Sequence, residues 1–268
     1  MLTPLPPQLL QHAVEFSGPP AEPRDAATIV LLRDGLRGVE TYLLRRQSAM
    51  NFAAGMYVFP GGGVQESDAE PLAWSGPSPT TWGTRFGCSP ALAGMLVVAA
   101  IRETFEESGI LLAGPDERSL VRDTSSDEMQ EARLALDSGG ISMASFLAKH
   151  DLAIRTDLLG PRGHWVTPDF EPRRYDTRFF GAAAPAGQVV GSLPGEADHA
   201  EWVPLVEIVD KLARGELAML PPTAATCSEL AGRAIADILA ESSELFPKRH
   251  TARLAQIGEE YFLEHVLE

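Results

Sequence analysis

Apolar residues recur every fourth position at Val97, Ile101 and Phe105, and this spacing predicts the core-facing stripe of a helix. Ser89 suits an N-cap, Pro90 suits the first helical position, whose N–H has no helical partner, and Gly109 suits the C′ position. The pattern therefore predicts one long helix ending at Gly109, followed by a short strand at Ile110-Leu111-Leu112. Upstream, 27–33 and 40–46 read as the arms of a hairpin whose turn opens at Asp34-Gly35. Downstream, 126–137 and 141–150 read as helices separated by Gly139-Gly140, and 164–167, 174–184 and 199–203 read as strands. A short helix is expected at 205–214, and a longer one at 224–241 carrying Leu230, Ile235, Ile238 and Leu239. A last helix is expected at 249–267, with Leu254, Ile257, Phe262 and Val266 packing on the domain or on a second subunit, so a homodimer is one expectation. The Pro-rich segment 1–25 is expected to wrap the surface as an extended piece, ahead of a domain over 26–245 and the final helix over 246–268. Strands and helices that intermix in this way give an α/β fold class.

Composition narrows the choice of partner. A chain of 268 residues with 44% hydrophobic residues can bury a large core. Its net charge of −15 argues against a nucleic-acid polymer as partner, because phosphate backbones are held mainly by basic surface. A small phosphate compound remains possible if a divalent metal neutralises the site. Cys88 and Cys227 lie far apart and suggest neither a disulfide framework nor a zinc cluster. Met1-Leu2-Thr3-Pro4 lacks the basic start and long apolar core of a signal peptide, no stretch reaches the length of a membrane span, and the terminal His265-Val266-Leu267-Glu268 is not a peroxisomal tripeptide. The expectation is a cytoplasmic protein with no membrane partner.

The end of the long helix carries the chemistry. Arg102-Glu103-Thr104-Phe105-Glu106-Glu107-Ser108-Gly109-Ile110 places Glu103, Glu106 and Glu107 on one helical face. Carboxylates there repel one another and oppose the helix dipole, and a hard cation such as Mg²⁺ would relieve both costs. A run of glutamates alone is usually a solvated helix face. Here it follows Met56-Tyr57-Val58 and the turn Phe59-Pro60-Gly61-Gly62-Gly63, where glycine permits close backbone approach to a ligand. The two pieces together resemble the Nudix hydrolase signature, G-x5-E-x7-R-E-U-x-E-E-x-G-U, with U a bulky apolar residue. Gly62 matches the opening glycine, and Arg102, Glu103, Glu106, Glu107, Gly109 and Ile110 match the second half. Thr104 takes the first apolar position and Asp68 the place of the first glutamate. The spacing departs strongly, since positions 69–101 separate Asp68 from Arg102 where the signature has seven residues. This insertion, about 69–88, holds Pro71, Gly76, Pro77, Pro79, Gly83 and Gly87, which argue for loop. It also holds Trp74, Trp82 and Phe86, which argue that the loop packs on the domain or covers a ligand.

An interrupted signature of this kind resembles the branch that includes the peroxisomal acyl-CoA/coenzyme A diphosphatase and its bacterial relatives. Downstream matches are 172–180, Pro-Arg-Arg-Tyr-Asp-Thr-Arg-Phe-Phe, and 220–223, Leu-Pro-Pro-Thr. The coenzyme A motif of some relatives is partly present: Leu43, Arg46, Gly55 and Phe59-Pro60-Gly61-Gly62 fit, whereas Leu44, Gln47 and Asn51 depart. The resemblance implies an α/β/α sandwich with a mixed sheet. It implies Mg²⁺ or Mn²⁺ held by Glu103, Glu106, Glu107 and a carbonyl near Gly62, with Arg102 orienting a carboxylate. It also implies hydrolysis of a small-molecule phosphoanhydride. The general base is expected within the box or on a later loop, where Glu201 and Glu196 are candidates. Arg46, Phe59, Arg173, Arg174 and Arg178 are candidate substrate contacts, and only one of Arg173 and Arg174 should enter the site, because neighbours on a strand face opposite ways. Leading substrates are coenzyme A or an acyl-CoA, with ADP-ribose, NADH or a nucleotide sugar as alternatives. A catalytically silent ligand-binding relative is a second class, and the intact trio of glutamates favours the enzyme.

Overall fold

The computed structural model describes residues 2–5, 9–47, 54–193, 195, 197–242 and 244–268. Strand β1 (Leu2–Pro4) and helix α1 (Leu10–Glu15) precede the hairpin of β2 (Arg24–Gly35) and β3 (Gly38–Arg46). The hairpin turns where expected, with Gly35 opposite Gly38. Two short strands, β4 (Tyr57–Val58) and β5 (Gly61–Gly63), flank the Phe59-Pro60 step. A 3-10 turn at Glu66–Ala69, β6 (Trp74–Ser75) and α2 (Pro79–Phe86) lead to α3 (Pro90–Ser108). The expected caps of α3 are present: the Ser89 side chain accepts from the Leu92 N–H, and Gly109 is left-handed at φ 76°. The strand expected at Ile110-Leu111-Leu112 forms just beyond, as β7 (Ala113–Gly114). Then follow α4 (Asp127–Asp137), α5 (Met143–Lys149), β8 (Ala153–Arg155), β9 (Gly160–Val166), β10 (Tyr175–Ala183), β11 (Ala197–Pro204) and α6 (Leu205–Ala213).

Four expectations are corrected. The segment 1–25 is not an extended piece throughout: α1 forms within it, and Leu9 and Ala13 pack with Phe170, Ala252 and Leu263. The helix expected over 224–241 is two helices, α7 (Pro221–Leu230) and α8 (Ile235–Ser242), broken where Gly232 takes φ 77°. The insertion is not all loop: Ser78 caps α2, Pro79 occupies its first turn, and Gly87 closes it at φ 64°. The C-terminal helix is instead a hairpin, β12 (Arg249–Ile257) and β13 (Glu260–Leu267). Its two-residue loop is Gly258-Glu259, with Gly258 at φ 63°, and a glycine at the first loop position is a hairpin signal.

The main sheet runs β1-β13-β12-β9-β10-β2-β3-β11, with β5 on β2 and β4 on β3. It is mixed, since β10 and β2 are parallel, as are β12 and β9. A small sheet of β6, β8 and β7 stands apart. Strand β2 is buried on both faces, so its alternation divides two cores. Ala27, Ile29 and Leu31 pack under α3 with Trp82, Phe86, Leu96 and Phe105. Val30 and Leu32 pack with Leu43, Ile208, Cys227, Leu230 and Ile238 on the side of α6–α8. Two helical layers on a mixed sheet are the α/β/α sandwich expected. Among the described residues no single helix is long and apolar enough to cross a membrane. The bent α2–α3 pair owes its apolar composition to the core that it fills.

Candidate active site

The Gly-rich strand β5 lies on the edge of β2, with Ala26 opposite Gly63, Ala27 opposite Gly62 and Thr28 opposite Gly61. Helix α3 packs against it and brings its last two turns to the same edge. Glycine is required here by space: a Cβ on Gly62 would stand 2.4 Å from Glu103 Oε1, and one on Gly61 would stand 2.4 Å from Thr28 Oγ1. The bare backbone lets α3 side chains reach past the sheet edge. The Gly61 N–H also donates to Glu107 Oε2 at 2.8 Å, which offsets the poor placement of a carboxylate at a helix C-terminus.

Arg102 organises the cluster. Its Nε donates to Asp68 Oδ1 at 2.9 Å and one Nη to Asp68 Oδ2 at 3.1 Å, a bidentate pair. The other Nη donates to Glu103 Oε1 at 2.8 Å and Glu106 Oε2 at 3.0 Å, and the Gly63 carbonyl accepts at 3.1 Å. Asp68 in turn accepts from the Gln65 N–H at 2.8 Å, closing the 3-10 turn onto the arginine. Thus Asp68 occupies the position of the first signature glutamate despite the insertion. Burial works against the Arg102 charge, but Asp68, Glu103 and Glu106 outweigh it and raise the pKa. Burial pushes Glu106 up to about 7, against the pull of Arg102 and with help from Glu103 and Asp137.

Glu103, Glu107, Gly61, Gly62, Gly63 and Asp137 line one end of a cleft of about 460 Å³. Among the described residues no three acidic, His or Cys side chains are closed into a metal cage. Glu103 and Glu106 are turned to Arg102, and Glu107 to the Gly61 N–H. The donor set nevertheless fits a hard cation. It is all oxygen, and Glu106 Oε1 is buried with no hydrogen-bond partner, a cost that a cation would remove.

The structure sorts the other expected residues. Arg46, Phe59 and Arg173 line the cleft, as does the start of α7 at Leu220, Pro221, Pro222 and Thr223. Arg174 does not: its Nε donates to the Thr167 carbonyl at 3.1 Å and an Nη to the Ala21 carbonyl at 2.7 Å. Arg173 is thus the member of the pair that faces the site; both residues precede β10, so the backbone course ahead of the strand sets the difference and not strand alternation. Arg178 is taken by Asp25 and Asp176, the latter also held by buried His164. Glu201 is likewise displaced: it sits on the edge strand β11 opposite Leu43, with Oε1 3.1 Å from His199 Nε2, and outside the cleft lining. Strand pairing with β3 fixes that position, so Glu201 is not placed to take a proton in the cleft. Glu196 and Asn51 lie outside the described residues. The insertion supplies no cleft residue, because Trp82 and Phe86 pack edge-on against Phe180 inside the core.

Several cleft residues had no signal in the sequence reading. Asp137 arrives from the end of α4, and Trp165, His250 and His265 from strands distant in sequence. Arg133 of α4 lies behind the cluster, donating to the Glu106 carbonyl at 3.2 Å and satisfying a helix-end acceptor. Only the motifs at 172–180 and 220–223 had marked this wall in advance.

Fold and site define a sandwich in which an arginine-ordered cluster of carboxylates stands beside a cleft of about 460 Å³. No family model matches the chain. A crystal structure of a NUDIX hydrolase from Alicyclobacillus acidocaldarius superposes with a TM-score of 0.66 at 30% identity, covering 82% of this chain and 96% of that one. The chain belongs to the Nudix hydrolase family. It is also similar to nudix hydrolase 7 of Caenorhabditis elegans, 27% identical over 208 residues, and to the acyl-coenzyme A diphosphatase NUDT19 of Xenopus laevis, 25% identical over 217 residues. These alignments cover 74% and 68% of this chain and 57% of each relative, so the chain spans little more than half the length of the curated relatives that it matches.

Proposed function

We propose that the protein hydrolyses the phosphoanhydride of a nucleoside diphosphate linked to another moiety, with coenzyme A or an acyl-CoA as the substrate. The observation that carries this reading is the buried Arg102 cluster, which joins Asp68 and Glu106 to Glu103 of the cleft lining, beside the Gly61–Gly63 strand. The choice of coenzyme A is supported by the partial motif through Arg46, Gly55 and Phe59 and by the resemblance to the acyl-coenzyme A diphosphatase.

Glu103, Glu106 and Glu107 would hold Mg²⁺ or Mn²⁺, which when bound lowers the pKa of water and polarises the phosphoryl group. The chain's own residues do the rest. Arg102 holds Asp68, Glu103 and Glu106 in place by hydrogen bonds, and Arg46 and Arg173 supply positive charge where phosphate oxygens lie. Water adds to one phosphorus, the bridging P–O bond breaks, and the released proton passes to a cleft carboxylate. For coenzyme A the products are 3′,5′-ADP and phosphopantetheine.

The test is a screen of the purified chain with Mg²⁺ and Mn²⁺ against coenzyme A, acyl-CoAs, ADP-ribose, NADH and diadenosine polyphosphates. Cleavage of coenzyme A or its thioesters in preference to the others is expected. Brisk cleavage of ADP-ribose or NADH with none of coenzyme A would move the substrate, and no cleavage of any compound would overturn the enzyme reading.

A further inference from the structure

One row of strand partners connects the Gly-rich edge to the C-terminal hairpin. Gly63 of β5 stands beside Ala26 of β2, Ala26 beside Thr177 of β10, Thr177 beside Trp165 of β9, and Trp165 beside His250 of β12. Partners across a ladder share a face, and all of these residues line the cleft. Neighbouring strands lie ~4.8 Å apart, so the row extends ~19 Å. Glu103 and Glu107 stand at its start. Ala26 and Thr177 form a low floor in the middle. At the far end the side chains become large and aromatic: the rings of Trp165 and His250 are 3.7 Å apart at 66°, and His265 stacks on His250 at 4.9 Å and 20°.

A groove with carboxylates at one end, small side chains between and an aromatic wall at the other fits an elongated ligand with phosphate at one end and a planar ring at the other. The wall is also uncharged near neutral pH. Burial and the neighbouring His265 hold His250 down at about 4, and burial lowers His265 as well. A second phosphate subsite would need the opposite, imidazoles kept protonated. We infer that the C-terminal hairpin builds a ring-binding subsite, in which Trp165, His250 and His265 receive the nucleobase of the substrate while its phosphates lie toward Glu103 and Glu107. This rests on the hydrolase reading above and adds to it which half of the substrate lies against the hairpin.

The experiment reads binding, not turnover, so that the two readings fail separately. Dissociation constants for AMP, phosphopantetheine and inorganic pyrophosphate are measured by calorimetry with Mg²⁺ for the wild type, Trp165→Ala, Trp165→Phe, His250→Leu and His250→Phe. Loss of base stacking should raise the AMP constant on the order of tenfold in Trp165→Ala and His250→Leu, while pyrophosphate is unchanged and the two Phe variants stay near wild type. AMP binding that is unaltered, or that weakens in step with pyrophosphate, overturns the subsite. So does a loss confined to phosphopantetheine, which would put the other half of the substrate on the wall. If Trp165→Ala fails to fold, the His250→Leu and His250→Phe pair decides by the same criterion. Absence of turnover in the wild type, with AMP binding intact, would count against the hydrolase reading alone.

Discussion

At the scale of single side chains, Arg102 does what a lysine in its place would not. Its planar fork reaches Asp68 with two nitrogens and still offers donors to Glu103, Glu106 and the Gly63 carbonyl, which a point-like ammonium cannot do at once. The sequence made this pairing visible in part, because Arg102 and Glu106 are four apart. The family pattern marked Asp68 as standing in for the first glutamate but did not pair it with Arg102, since no spacing rule links positions 34 apart. Glu106 and Glu107 are separable from stability, since Gly61 and Arg102 need only hydrogen-bond acceptors there. Glu107→Gln and Glu106→Gln should therefore keep the far-ultraviolet circular dichroism of the wild type and lose about 100-fold or more in kcat with Mg²⁺, a barrier increase of ~2.7 kcal/mol. A near-normal rate in a folded Glu106→Gln variant would sink the mechanism. The arginines give a second expectation. Coenzyme A carries a 3′-phosphate that dephospho-coenzyme A lacks, and Arg46 and Arg173 are the guanidinium groups of the cleft lining. Removing the one that meets this phosphate should weaken coenzyme A roughly tenfold more than dephospho-coenzyme A, because a charge-assisted contact is worth ~1.5–3 kcal/mol. Arg174→Ala, held instead by the Ala21 and Thr167 carbonyls, should not distinguish the two compounds. Paired KM measurements check both statements.

At the scale of elements, the long helix, the β2–β3 hairpin and strands β9 to β11 were legible because each has strong periodicity or capped ends. The C-terminal hairpin was not. Leu254, Ile257, Phe262 and Val266 fit a loose helical spacing, and the glycine that divides them at 258 was outweighed. The break between α7 and α8 has the same cause, a glycine inside an apolar run, where local pattern cannot tell a tolerated residue from a stop. The insertion misled in another way. Its Pro and Gly, which read as loop, are the capping residues of α2: Pro79 starts the helix and Gly87 ends it. Helix α2 then fills the core with Trp82, which is fully buried and meets Phe180 edge-on at 5.4 Å. This packing argues that the insertion supports the sheet beneath the site and does not cover the cleft. Trp82→Ala should cost about 3–5 kcal/mol of stability, read as a lower urea midpoint at unchanged slope. Excision of Glu70 through Gly87 should abolish cooperative unfolding. A shortened chain that melted normally and differed only in substrate ranking would restore a role at the cleft.

At the scale of the whole molecule, the hydrolase reading proposed above asks a chain of net charge −15 to take up a polyanion, and Arg46 and Arg173 are the guanidinium groups that the cleft lining offers. Two groups in or beside that cleft, the buried Glu106 and the half-buried His250, also couple the fold to pH, with opposite signs. His250 is held down at about 4 in the fold against an ordinary 6.5, so between those values the unfolded chain binds the extra proton and acidification destabilises the native state. Glu106 is pushed up to about 7 from 4.5, so between 4.5 and about 7 the folded chain binds more protons and acidification stabilises it. The two contributions oppose each other in the wild-type profile, and the variants separate them. In metal-free buffer, His250→Gln should lose the acid-sensitive component. Plotted as unfolding free energy, its advantage over the wild type should grow as pH falls from 6.5 toward 4. The slope stays below the ~1.4 kcal/mol per pH unit that one proton allows, since the ring is partly solvated. Glu106→Gln should do the reverse, falling behind the wild type as pH drops through 7 toward 4.5. Parallel profiles for wild type and His250→Gln across that window would mean that His250 is protonated as readily in the fold as outside it, and that the aromatic end of the cleft is open to water.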